Sequence, residues 1–192
     1  VVPRTELLTG LPAIAPRAAR VLVLGSMPGA ASLAAGQYYA HTQNAFWWIM
    51  GELVGAKPEF SYPRRIAALR GAGIALWDVI GSCRRHGSLD SAIDPESIRV
   101  NDVVALIAQR PGIRGVLTNG GTASALFRRH LAGQLDALPH APDWQSLPST
   151  SPANASWSRE AKLAAWRHAL APLLEPRRSN RQSARRARIA AG

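Results

Sequence analysis

Tyr39, His41 and Asn44 fall within one polar and aromatic segment, Tyr38-Tyr39-Ala40-His41-Thr42-Gln43-Asn44-Ala45-Phe46-Trp47, and offer a stacking ring, an imidazole and a primary amide. An amide takes no proton near neutral pH, so Asn44 can orient a water or cap a helix but cannot act as a strong base. His41, in a turn, reads first as a structural hydrogen-bonder. Just upstream, an apolar run over 21–24 breaks into Gly25-Ser26-Met27-Pro28-Gly29. Glycines at both ends let the backbone approach a planar or anionic ligand, and Pro28 stiffens the turn between them. A second cluster, Leu147-Pro148-Ser149-Thr150-Ser151-Pro152-Ala153-Asn154-Ala155, sets three hydroxyls and an amide ahead of a helical pattern. Small donors beside a helix N-terminus suit phosphate oxygens, and Ser156 or Ser158 is the expected cap of that helix.

Both loops need strands to deliver them. Strand-like runs occur at 20–24, 74–80, 113–118 and 144–147, with helical patterns at 44–54, 63–70, 102–109, 122–131 and 158–173. Strands alternating with helices imply right-handed βαβ units, so the expected fold is α/β: a three-layer α/β/α sandwich around a central, mainly parallel four-stranded sheet. In such sheets ligands gather at the carboxyl ends of the strands. Here those ends are Gly25–Gly29, Asp78, Asn119 and Ser149–Ser151, which are expected along one edge. Leu7, Leu8, Leu11 and Ile14 are expected to pack as an N-terminal flap. Most of Trp47, Trp48, Trp77, Trp157 and Trp166 read as core rather than as a base-stacking ladder, since they lie in apolar patterns and each buries a large area.

The chain has 192 residues, which suits one core. The expected division is a domain over 1–174 and a basic, disordered tail over 175–192. The net charge is +11, and the tail accounts for part of it with six arginines against Glu175. The body is basic without it, so an acidic partner such as nucleic acid is the first expectation. The single cysteine, Cys83, rules out an intrachain disulfide, and no Cys/His spacing suits zinc. No metal and no cofactor is expected. No apolar stretch approaches the ~18 residues of a membrane span, and no leader is evident. A cytoplasmic location is expected, nucleoid-associated if the source is bacterial, with a monomeric chain.

Taken together, the two loops resemble the uracil-DNA glycosylase superfamily. Gly25-Ser26-Met27-Pro28-Gly29 is similar to its first motif, the segment from Tyr39 to Trp47 to the stretch that follows it in the mismatch-specific branch, and 147–155 to its second motif. The stretches 73–83 and Gly87-Ser88-Leu89-Asp90-Ser91 fall between them in the expected order, so the resemblance covers about residues 7–173. Ser26-Met27 stands where other branches place a catalytic Asn or Asp, which makes the chain most similar to the hypoxanthine-DNA glycosylase branch. Thr42 replaces a more usual proline, a change of loop stiffness more than of chemistry.

The resemblance implies a monofunctional DNA glycosylase that flips a deaminated base (hypoxanthine, or also uracil or xanthine) out of DNA and hydrolyses its bond to the sugar. It places catalysis on Asn44, orienting water. Base binding falls to Gly25, to backbone N–H groups at Ser26 and Met27, to Tyr39 as stacking ring and to Asp78 as acceptor from a base N–H. DNA contacts fall to Pro28, Gly29, Ser149, Thr150, Ser151, Asn154, Arg84 and Arg85, with Ala153 and Asn154 entering the gap left by the flipped nucleotide. The implied partners are DNA bearing the lesion and downstream abasic-site repair enzymes.

Lys57 and Lys162 lie outside the motifs, so no amine nucleophile for a lyase is evident. The lone Cys83 excludes a four-cysteine iron–sulfur cluster. The alternative reading is a non-catalytic module that binds damaged or single-stranded DNA. A nucleotide hydrolase is weaker, because the glycine loop lacks both P-loop and dinucleotide spacing.

Overall fold

Val21, Val23 and Leu22, Leu24 alternate along one strand, and the two pairs enter two different cores. A strand buried on both faces is the signature of a sheet covered by helices on both sides. The computed structural model describes residues 6–175 and shows this arrangement. Its strands are β1 (Leu7–Thr9), β2 (Val21–Gly25), β3 (Ile74–Asp78), β4 (Ile80–Arg84), β5 (Arg99–Val100), β6 (Gly115–Asn119) and β7 (Asp143–Leu147). Its main helices are α1 (Ala30–Ala35), α2 (Phe46–Val54), α3 (Tyr62–Ala72), α4 (Val103–Ala108) and α5 (Gly121–Phe127). A π-helical turn, Arg128–Ala132, joins α5 to the short α6 (Gly133–Leu135), and α7 (Arg159–Leu174) closes the chain described.

The main sheet has order β3-β2-β6-β7, all parallel. One core packs Phe46, Trp47, Ile49, Met50, Leu69, Trp166 and Leu170 of α2, α3 and α7 against Val21, Val23, Ile74 and Leu76. The other packs Val103, Ile107, Phe127, Leu131 and Leu135 against Leu22, Leu24, Ala75 and Val116. The three-layer expectation holds. Among the described residues, no helix is long and apolar enough to cross a membrane. The expected tail lies, from residue 176 on, outside the described residues.

A second, antiparallel sheet of order β1-β4-β5 was not legible in the pattern. The apolar run over 74–80 reads as one strand, yet the chain leaves the parallel sheet after Asp78 and starts β4 at Ile80. The turn is held because Val79 N–H and Ile80 N–H donate to the carbonyls of Gly25 and Ser26 at 2.9 Å each. The expected flap is partly a strand: Leu7, Leu8 and Thr9 pair with Arg84, Cys83 and Ser82. Further along, Ile14 bridges to Leu76. This small sheet ties the first loop to the 87–90 segment that closes one side of the cleft.

Candidate active site

The carboxyl ends of the four parallel strands border one cleft of about 740 Å³. Its lining includes Gly25–Gly29 after β2, Asp78 at the end of β3, Asn119 at the end of β6 and Ser149–Asn154 after β7. Tyr39, His41 and Asn44 join from the segment before α2, and Ser88, Leu89 and Asp90 from the far rim. The volume lies within the roughly 300–1,000 Å³ usual for small-molecule sites.

Gly25 is required by contact. A Cβ there would stand 2.2 Å from Asp78 Oδ1, so glycine alone lets the buried carboxyl sit against the backbone of the first loop. Ser26 Oγ–H donates to Asp90 Oδ2 at 2.6 Å. Met27 is buried, and its side chain packs with Ile80 and Cys83. Arg85 corrects an expectation. It is 3% exposed, and its guanidinium donates to Pro28 O at 2.6 Å and to Gly87 O at 3.0 Å. Its Nε and Nη2 hold the loop, and its burial keeps it from DNA phosphate. Arg84 is exposed at the end of β4 but lies outside the cleft lining.

Tyr39 adopts φ 54°, the left-handed region. Its ring stacks on Phe46 with centroids 3.9 Å apart, and its hydroxyl oxygen accepts from Asn119 Nδ2 at 3.1 Å. One face is thus covered by protein while the ring still lines the cleft. Burial raises the pKa of the phenol, with Asp78 adding to the shift, so it stays neutral. Asn44 Oδ1 accepts from Phe46 N–H at 3.0 Å, which fixes the amide plane at the head of α2 while leaving the residue on the cleft wall. The N-cap position of α2 is Ala45, so Asn44 braces the turn just ahead of the helix rather than capping it, and the second lone pair of its carbonyl oxygen can still orient a water. His41 is exposed, and its Nδ1 accepts from Gln43 N–H at 3.2 Å.

The loop after β7 is braced by its own hydroxyls. Ser149 Oγ accepts from Ser151 N–H, Ser151 Oγ from Ala153 N–H, and Asn154 Nδ2 donates to Ser149 O. Thr150 departs from its expected phosphate role. It is 1% exposed, its Oγ1 and N–H are engaged by Asn119, and its carbonyl accepts from Ala45 N–H. It welds β6, this loop and the start of α2 together. Ser149, Ser151 and Asn154 remain at the cleft.

Several contributors escaped the sequence reading. Asp90 and Asn119 act through contacts that only the fold creates, although Asn119 at a strand end and Asp90 in the 87–91 stretch were visible as polar residues in the right places. Lys162 is buried at the start of α7, with Nζ donating to Asn154 O at 2.9 Å and Ser151 O at 3.4 Å. Trp157 is the exception among the tryptophans: it is 45% exposed at the cleft rim and not core, because it precedes the first turn of α7. Ser158, as expected, caps that helix, accepting from Ala161 N–H at 3.1 Å.

The chain is similar to known proteins in sequence and in fold. A protein from Methanosarcina acetivorans named hypoxanthine DNA glycosylase is 32% identical over 153 residues, 78% of this chain and 90% of its own. Another of that name from Methanosarcina barkeri is 36% identical over 112 residues, 58% of this chain and 70% of its own. The solution structure of a protein from M. acetivorans, provisionally designated a uracil DNA glycosylase, superposes with a TM-score of 0.68 at 30% identity, over 85% of this chain and 98% of that one. The family model of the uracil DNA glycosylase superfamily matches residues 12–174, and the chain belongs to that superfamily.

Proposed function

We propose that this protein removes hypoxanthine from DNA, with Asn44, Tyr39, Asp78 and the loop after β7 forming the site. The chain is a monofunctional DNA glycosylase, a hydrolase of N-glycosyl bonds. The finer reading rests above all on one observation: the first loop, Tyr39, Asn44, Asp78 and Ser149–Asn154 all line the same cleft. The names of the two Methanosarcina relatives support hypoxanthine as the base to test first.

The reaction needs little covalent participation by the protein. A base taken out of the stack costs a few kcal/mol, least where its pairing is already weak, and deaminated bases are of that kind. The flipped base lies along Tyr39, whose other face is backed by Phe46. Asn44 holds a water toward the anomeric carbon. The water oxygen bonds to that carbon, the carbon–nitrogen bond breaks with its electron pair passing to the base, and the water proton ends on the base. Preorganised donors around the departing base stabilise its developing negative charge. Ser149, Ser151 and Asn154 hold the flanking phosphates, and the basic body supplies the salt-dependent part of affinity.

Oligonucleotides carrying one deoxyinosine or one deoxyuridine, followed by alkali to cut abasic sites, test this directly. Release of hypoxanthine is expected, with Asn44→Ala slower by about 10²–10³-fold, the scale of losing one positioned group. Retained lesion binding with no release of either base would favour the damage-binding module.

A further inference from the structure

Asp78 ends β3 on the cleft floor, is 3% exposed, and has no hydrogen-bond partner for Oδ2 among the described residues. A charged carboxylate oxygen left dry and unpaired is costly. The neighbouring charges do not remove that cost. Asp90 faces Asp78 from the 87–90 segment, and Arg85, the residue after β4, acts on both carboxyls. One guanidinium can neutralise one of them. Asp90 is the better placed for the negative charge, because Ser26 Oγ–H donates to it at 2.6 Å and Thr122 adds a side-chain hydrogen bond. Asp78 has neither. Tyr38 and Tyr39 face it from the turn before α2, and burial keeps both phenols neutral. His41 lines the same cleft from that turn but is exposed.

We propose that Asp78 stands on the cleft floor as a neutral carboxylic acid and donates a hydrogen bond from its carboxyl to the carbonyl oxygen that deamination has placed on the base. This rests on the glycosylase reading and adds the group that separates a deaminated base from its parent. Deamination exchanges an exocyclic amino donor for a carbonyl acceptor. A fixed buried donor pairs with that carbonyl, whereas facing an amino group it leaves both groups unpaired, a mismatch that can reject a ligand by up to about 10⁴-fold. The same bond strengthens as the base departs with negative charge. The role is the reverse of the acceptor expected from sequence. Burial, with Asp90 adding and Arg85 opposing, pushes the carboxyl up to about 8, so the donor is present at neutral pH and lost in alkali.

The test measures single-turnover release from a deoxyinosine oligonucleotide against pH for the wild type, Asp78→Asn and Asp78→Ala, beside thermal melting of the wild type and Asp78→Asn. The wild-type rate should fall about tenfold per pH unit above the Asp78 pKa. Asp78→Asn, whose amide donates without titrating, should keep activity and lose the alkaline fall, and Asp78→Ala should be slow at every pH. Melting tests protonation without substrate. The folded pKa lies above the unfolded one, so between about pH 4 and the folded value the fold binds the extra proton. The wild type should therefore lose melting temperature relative to Asp78→Asn through that window and run parallel to it above about 8. A gap constant across the window, or an Asp78→Asn enzyme as slow as Asp78→Ala, overturns the proposal. If no base is released by any form while the melting gap still widens, the glycosylase reading fails and the neutral acid stands.

Discussion

The floor of the cleft and its outer loop are built on opposite principles. The floor, formed by Asp78, Asp90, Arg85 and the first loop, gathers ionisable groups in a buried place and leaves Asp78 Oδ2 and Arg85 Nη1 without partners among the described residues. The outer loop after β7 uses neutral hydroxyls and amides, satisfies them on one another, and exposes Pro152 and Ala153 to solvent. The difference follows from what each part meets. Reading a base edge depends on hydrogen bonds that count most where water is excluded, so unspent polarity is kept in the interior. Holding a phosphate backbone depends on shape and on donors that solvent can also serve, so self-bracing costs little.

The largest break in this contrast should come from Arg85. Arg85→Met keeps the stem but leaves Asp78 and Asp90 without their shared cation and frees the carbonyls of Pro28 and Gly87. Removing one member of a buried charge group costs about 3–5 kcal/mol. Chemical denaturation should show a loss of that order, with base release falling in parallel as the first loop loosens. A comparable substitution in the outer loop, Ser151→Ala, should cost under about 1 kcal/mol, since surface changes rarely cost more. Equal losses would erase the distinction between the two regions.

That contrast also explains what could be read in advance. The parallel sheet was legible because β2, β3 and β6 are local apolar runs punctuated by glycine or a polar end, whereas β7, Asp143–Leu147, is mostly polar and exposed and was the least clear of the four. The antiparallel sheet was not, because β1 has three residues, β5 two, and both acquire strand geometry only by pairing with β4 far away in sequence. The site divides likewise. The glycine loop, the segment from Tyr39 to Asn44 and the hydroxyl loop are contiguous motifs, and all reach the cleft. Arg85 and Thr150 looked like phosphate ligands because residue type alone does not report burial. Their real partners, Pro28 and Asn119, are 57 and 31 residues away.

Trp157 sharpens the comparison from the outer side. It is exposed at the rim, two residues ahead of Arg159, whose guanidinium lies 5.0 Å from the ring of Trp48. Ala153, at the tip of the adjoining loop, is too small to fill the space a flipped nucleotide leaves, so an aromatic four residues on is the natural contact for a neighbouring base. Stacking on an aromatic is worth about 1–3 kcal/mol per base. Trp157→Ala should weaken lesion-DNA binding by about 5–100-fold with melting unchanged, and Trp157→Phe should restore most of it. A titration of fluorescein-labelled duplex would separate the three proteins. Unchanged affinity would return Trp157 to an ordinary exposed side chain.

The smallest effect concerns Lys162, the point at which the outer loop borrows a charge from the interior. Its ammonium bonds the carbonyls of Ser151 and Asn154, and burial lowers its pKa. Those carbonyls belong to the partly exposed loop, so water can replace the donor once it is gone. Lys162→Met preserves the packed stem and removes only the two bonds, a change of about 1–2 kcal/mol on the scale of charge-assisted hydrogen bonds. A loop that grips phosphate but does not touch the reacting atoms should show this as a several-fold rise in KM with kcat held, because binding is weakened equally in ground and transition states. Asp78→Ala should show the reverse split, with kcat falling most. Should Lys162→Met instead lower kcat at unchanged KM, the outer loop would be part of the chemistry, and the division between a charged floor and a neutral grip would have to be redrawn.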